Sequence, residues 1–140
     1  MKKLILLIVV SCVISCGKKK EQDFYSPKNN TFKDSYARGE AVYQDLCITC
    51  HLTDGKGVPK AFPPLAGSDY LENNQDNSIR AVKYGMSGEI VVNGVTYNTV
   101  MASMGLSDEE VADVMNYINK SWDNDFGEII TAQKVTKITP

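Results

Sequence analysis

Residues 47–51 read Cys47-Ile48-Thr49-Cys50-His51, and what these five side chains can do together decides the fold. Two thiols three positions apart lie about one helical turn from each other. Each can add across one of the two vinyl groups of a haem to leave a thioether, and the imidazole that follows then projects at the iron. A composition like this one yields the pattern by accident in roughly one shuffled chain per thousand. A redox dithiol and half of a zinc site also use the Cys-x-x-Cys spacing. A zinc site on Cys47, Cys50 and His51 would have to recruit a carboxylate, because the chain has a single histidine. Neither alternative accounts for the loop beside the motif.

That loop, residues 52–68 (LTDGKGVPKAFPPLAGS), carries too many Gly and Pro breakers for a regular element. A long loop inside a compact domain next to an attachment motif reads as functional. On the other side of the motif, Tyr36, Gly39, Tyr43 and Leu46 recur at spacings of three and four, which predicts a helix ending at Cys47 with Asp34 or Ser35 as its cap. Gly39 inside it costs about 1 kcal/mol against Ala, so it marks either a close helix crossing or a tolerant surface position. Downstream, Asn77–Tyr84 predicts a short helix with Ile79 and Val82 inward and Gly85 as its stop. Asn93-Gly94 between β-branched stretches of residues 89–99 predicts a hairpin. Ser107-Asp108-Glu109-Glu110 is a capping box, followed by Val111, Val114, Met115, Ile118 and Trp122 at helical spacing. The tail, residues 124–140, has no pattern that assigns an element.

Lys2 and Lys3 precede an apolar run from Leu4 that meets Gly17 and Lys18-Lys19-Lys20, shorter than the ~18 residues of a spanning helix. This is an export signal over residues 1–15. Val13-Ile14-Ser15-Cys16 resembles the lipobox of bacterial lipoproteins, which implies cleavage before Cys16, lipid on its thiol, and a membrane-anchored protein facing the periplasm or cell exterior. Residues 16–33, polar and without period, read as a flexible tether. A coil of that length spans roughly 20–25 Å, enough to lift a domain off the headgroups.

Length bounds the rest. One hundred and forty residues hold one domain, placed at residues 34–123, and a net charge of −2 excludes the basic footprint of a nucleic-acid binder. Of four cysteines, Cys12 leaves with the leader and Cys16 takes lipid, so only Cys47 and Cys50 remain for chemistry.

Over residues 34–123 the chain resembles the class I cytochrome c family. The residues that carry the likeness are the helix with Gly39 and Tyr43 entering the haem motif, Pro63-Pro64-Leu65 in the loop, and Tyr97-Asn98-Thr99-Val100-Met101 ahead of Leu106-Ser107-Asp108. Ala102 stands where the family typically has Pro after the ligand methionine, which bears on the stiffness of that loop. The resemblance implies an all-α cytochrome c fold: crossed N- and C-terminal helices around one covalently bound haem c, with long loops and a short β-hairpin. It implies His51 and Met101 as the axial ligands, and a His/Met pair raises the reduction potential of the iron. Met1 falls in the leader, Met115 on an apolar helix face and Met86 between turn glycines, which leaves Met104 as the alternative to Met101. It further implies the Pro63 carbonyl as partner of the imidazole N–H, with Pro64 as the register alternative. Tyr97 either bonds near the haem or fills the hairpin, and Gly55 and Gly57 either let backbone approach the haem edge or are ordinary turn glycines. The function implied is one-electron transfer in a respiratory chain by a monomer that is not itself an enzyme. Its redox partners would be of the terminal oxidase, nitrite reductase or quinoprotein dehydrogenase type. A haem enzyme or sensor with a labile sixth ligand, acting on peroxide or a gas, is the competing reading.

Overall fold

The computed structural model describes residues 31–140. The export signal, Cys16 and the tether as far as residue 30 lie outside the described residues. Helix α1 spans Phe32–Val42 and starts earlier than the apolar spacing predicts, because Thr31 caps it in place of Asp34 or Ser35. The Thr31 hydroxyl oxygen accepts from the Asp34 N–H at 3.3 Å, and Asp34 adds a negative charge to the positive end of the helix. A π turn, Tyr43–Cys47, follows, then α2, Ile48–His51.

Two short helices come next, α3 (Asp69–Asn73) and α4 (Gln75–Tyr84). The Ser68 hydroxyl caps α3, an element too short and polar to show a period. Strands β1 (Ile90–Val92) and β2 (Val95–Tyr97) pair antiparallel, Ile90 opposite Tyr97 and Val92 opposite Val95. Asn93 and Gly94 both have positive φ, 51° and 75°, which is the two-residue turn whose twist suits a hairpin. Helix α5 is Asp108–Lys120, with both halves of the Ser107/Glu110 capping box formed. Trp122 lies beyond its end at φ 53°, so the helical spacing that included it overran by one residue pair. The tail forms a sixth helix, α6 (Ala132–Thr136).

Helices α1 and α5 cross, and Gly39 is why they can. A Cβ at Gly39 would sit 1.9 Å from the Asp113 carbonyl oxygen and 2.9 Å from Tyr117 Cβ, so the glycine marks a close crossing and not a tolerant surface. Tyr36 and Tyr43 of the first segment lean on Tyr117, with ring centroids 5.0 and 5.3 Å away. Helix α5 is buried nearly all round: Asp113, Asn116 and Asn119 are as deep as Val111, Val114, Met115 and Ile118. Buried polar side chains need partners, and each has one. Arg38 pairs with Asp113 at 2.6 Å. Asn116 brackets the Ile130 backbone, accepting its N–H at 2.8 Å and donating to its carbonyl at 2.9 Å. Asn119 and Gln75 exchange amide hydrogen bonds. The tail is thereby docked, and Ile130, Val135 and Ile138 complete the core.

Candidate haem crevice

The π turn brings Cys47 to the end of the first helical segment, and α2 places Cys50 and His51 one turn on. Burial pushes the Cys47 thiol up to about 11, with Cys50 adding to the shift. His51 Nδ1 lies 3.0 Å from the Pro63 carbonyl oxygen. A carbonyl can only accept, so Nδ1 carries the proton. Burial holds the imidazole below its ordinary pKa, opposed by that hydrogen bond. The ring is therefore neutral, with its Nε2 lone pair free for a metal.

The loop is folded to aim that carbonyl. His51 O accepts from Gly57 N–H at 3.0 Å, Val58 and Phe62 form a small antiparallel bridge, and Gly55 O accepts from Leu65 and Ala66. A Cβ on Gly57 would lie 2.6 Å from the Pro63 carbonyl oxygen, so any side chain there would push on the group that orients His51. The Gly55 Cα faces a different neighbour: its Cβ would meet the Trp122 ring at 2.6 Å. The two glycines thus admit a carbonyl and an indole where the sequence predicts an approach to the haem edge. The partner carbonyl belongs to Pro63, and the Pro64 register is not used.

Two residues that the sequence shows at helical spacing, without their hydrogen-bond partners, fix the backbone just past His51. Tyr43, almost wholly buried, donates its hydroxyl to the Leu52 carbonyl at 2.7 Å. Its phenol is raised well above the ordinary range, first by burial and then by Cys47. Trp122 Nε1–H donates to the Thr53 carbonyl at 3.0 Å. The signal for Tyr43 is only that a helical tyrosine with a buried ring must find a partner for its hydroxyl.

Opposite stand α4, the hairpin and the segment after it. Two adjoining cavities share Cys47, His51, Pro63, Met86, Ile90 and Met101 as lining. Cys50, Tyr97 and Met104 line the second cavity only. Met104, of the two methionines left open by the sequence, is exposed to 38%, while Met101 is half-buried and lines both cavities. Met101 is held by its backbone: its N–H donates to Met86 O at 2.9 Å, and Met86 N–H donates to Met101 O at 2.8 Å. In such a mutually bonded antiparallel pair both side chains lie on one face. Met86, between turn glycines in sequence, therefore lines the crevice beside Met101, a pairing across fifteen residues that no local pattern announces. Among the described residues no group of three or more His, Cys, Asp or Glu side chains is gathered to hold a metal ion, so a zinc site would find no carboxylate there. An apolar crevice with two thiols on one wall, a neutral imidazole and a thioether fits a flat macrocycle carrying iron.

The cytochrome c family profile matches residues 36–122. Cytochrome c-552 of Thermus thermophilus is 43% identical over 91 residues, covering 61% of this chain and 69% of that protein. Cytochrome c-554(548) of Halomonas halodenitrificans is 38% identical over 73 residues, 51% of this chain and 78% of that one. The cytochrome c subunit of the quinone alcohol dehydrogenase of Gluconobacter oxydans is 34% identical over 104 residues, and the chain covers 71% of itself but only 21% of that subunit. The chain belongs to the cytochrome c family. Membership brings covalently bound haem c as cofactor and electron transfer as the class of function.

Proposed function

We propose that this protein is a lipid-anchored electron carrier on the outer side of a bacterial membrane, with Cys47 and Cys50 as the thioether residues and His51 and Met101 as axial ligands in both redox states. The observation that carries the reading is the opposed pair of supports: Pro63 O on the His51 ring at 3.0 Å and the Met86 backbone on Met101 at 2.8 and 2.9 Å. When bound, the haem supplies a one-electron couple; the protein supplies insulation and a docking face. His51 donates a basic, oriented imidazole whose proton stays on Nδ1. Met101 offers a soft thioether on a tethered backbone. Two ligands held this way leave no coordination position for a substrate, which favours a carrier that is not itself an enzyme. At the mouth, Leu46, Val100 and Met104 are exposed, Val100 to 70%, and present apolar surface to a partner. Relatives named as cytochrome subunits of alcohol and gluconate dehydrogenases support an oxidoreductase as that partner, with a dehydrogenase as donor and a terminal oxidase or nitrite reductase as acceptor in a respiratory chain.

The test is spectroscopic. A pyridine haemochrome assay on the matured protein should give one haem c per chain, and the ferric protein should show the far-red thioether-to-iron band. Met101→Ala should abolish that band while Met104→Ala leaves it. The reverse pattern, or an open iron in the resting protein, would overturn the assignment.

A further inference from the structure

The segment that bears Met101 lacks the family's proline, with Ala102 in its place, yet it is held at four points by the end of α4. Two are the Met86 hydrogen bonds. The third is the Ser103 hydroxyl, which donates to the Lys83 carbonyl at 3.0 Å. The fourth is steric: Gly85, at φ 82°, lies so close that a Cβ there would be 2.7 Å from Met101 O and 2.8 Å from Ser103 N. The same end of α4 is tied on its other side to the C-terminal tail. Arg80 donates to Thr139 O at 2.9 Å, Lys83 to Val135 O at 3.0 Å and Tyr84 to Ile138 O at 3.0 Å. Lys83 also pairs with Asp108 at 2.8 Å, and Asp108 accepts from Thr136 at 2.7 Å. Three side chains of one helix thus end on carbonyls at and after α6, where Val135 O also accepts from Ile138 N–H at 3.0 Å. The tail cannot follow α4 freely, because Ile130, Val135 and Ile138 are locked in the core and Asn116 brackets Ile130.

We propose that the C-terminal tail, acting through α4, holds the Met101 segment closed over the crevice, so that Lys83, Tyr84 and Gly85 are positioning residues for the sixth ligand. This rests on Met101 being that ligand. The bond between a tethered methionine and iron competes with any external base, whose apparent affinity scales with the fraction of molecules in which the methionine has swung away. Loosening α4 from the tail raises that fraction without touching the ligand.

The experiment is a titration of the ferric holoprotein with imidazole, followed by loss of the far-red band. Lys83→Met/Tyr84→Phe, which removes two of the three ties, should bind imidazole roughly tenfold more tightly than the natural sequence, the scale of one to two lost hydrogen bonds. Gly85→Ala, forced against the Met101 backbone, should shift it at least as far. Tyr36→Phe removes a hydrogen bond to Ser121 between the other pair of helices and should leave imidazole affinity unchanged although the protein melts earlier. Equal affinity in the natural and doubly substituted proteins, or an equal rise in Tyr36→Phe, would overturn the proposal. Met101→Ala separates the two claims. If it binds imidazole no better than the natural sequence, the ligand assignment itself is wrong and the buttress goes with it; if it binds far more tightly while the double variant is unmoved, only the buttress is lost.

Discussion

Replacing Gly39 by alanine sets two effects of opposite sign against each other. Helix propensity alone favours the change by about 1 kcal/mol. The crossing opposes it, because the new Cβ would lie 1.9 Å from the Asp113 carbonyl oxygen against a normal separation of roughly 3.5 Å, and the obstacle is backbone that cannot rotate away. Helices α1 and α5 must part by about 1.5 Å to make room, overpacking that typically costs 1–3 kcal/mol or more. Parting them also stretches the Ser35–Asp113 hydrogen bond of 2.5 Å, worth about 1 kcal/mol, and opens the Tyr36–Tyr117 and Tyr43–Tyr117 ring contacts. The net expectation is a loss of about 2–3 kcal/mol, or roughly 10–20 °C in melting temperature for a domain of this size. Thermal unfolding of the haem-loaded protein, followed by far-ultraviolet circular dichroism, measures it. A variant that melts at the same temperature or higher would show that the crossing is not as close as described and that propensity governs this position.

Three further outcomes follow from other parts of the structure. Asp108 is held below the ordinary carboxylate range, first by Lys83 and then by Thr136, while Lys83 is raised, first by Asp108. A lowered acid contributes stability above its unfolded value of about 4 that is lost as pH falls through the folded one, and a raised lysine contributes below about 10.4 and loses it as pH rises through the folded value. Urea unfolding near pH 6 and near pH 3 should therefore show a smaller acid loss in Asp108→Asn than in the natural sequence, and an identical loss would refute the pairing. Trp122→Phe deletes the hydrogen bond to Thr53 and should lower stability by about 1 kcal/mol in denaturant unfolding, with no change in stability refuting the role of the indole. Cys16→Ser should release the haem-stained protein from the membrane fraction on cell fractionation, and unchanged retention would exclude a lipid anchor at that residue.

The attachment motif, the Asn93-Gly94 hairpin and the α5 capping box were legible in the sequence because each is decided within a few residues, whereas at Gly39 the sequence left a close crossing and a tolerant surface both open and only the packing of α1 on α5 decides. The start of α1 was hidden because Thr31-Phe32-Lys33-Asp34 has a single apolar residue and so no apolar period to display. The tail was hidden for another reason. Its docking depends on Asn116, a polar side chain buried by tertiary structure alone, and helix α5, covered on nearly all sides, does not advertise which face awaits a partner. The crevice was legible on the His51 side, where motif and loop adjoin in sequence. On the other side it was not, since Met86 and Gly85 meet Met101 only after α4 and the hairpin have folded back.

The π turn at Tyr43–Cys47, in which Ile48 N–H reaches back five residues to Tyr43 O, has a consequence for related sequences as well as for this chain. It takes up one residue more than an α turn would. Deleting that surplus residue would replace the π turn by an α turn and leave Cys50 and His51 close to their present aim, whereas deleting a residue from the regular turns of α1 would swing everything after it by about 100° around the axis. Kindred sequences that lack the surplus should show a one-residue gap here with no second change needed to restore the aim of the imidazole.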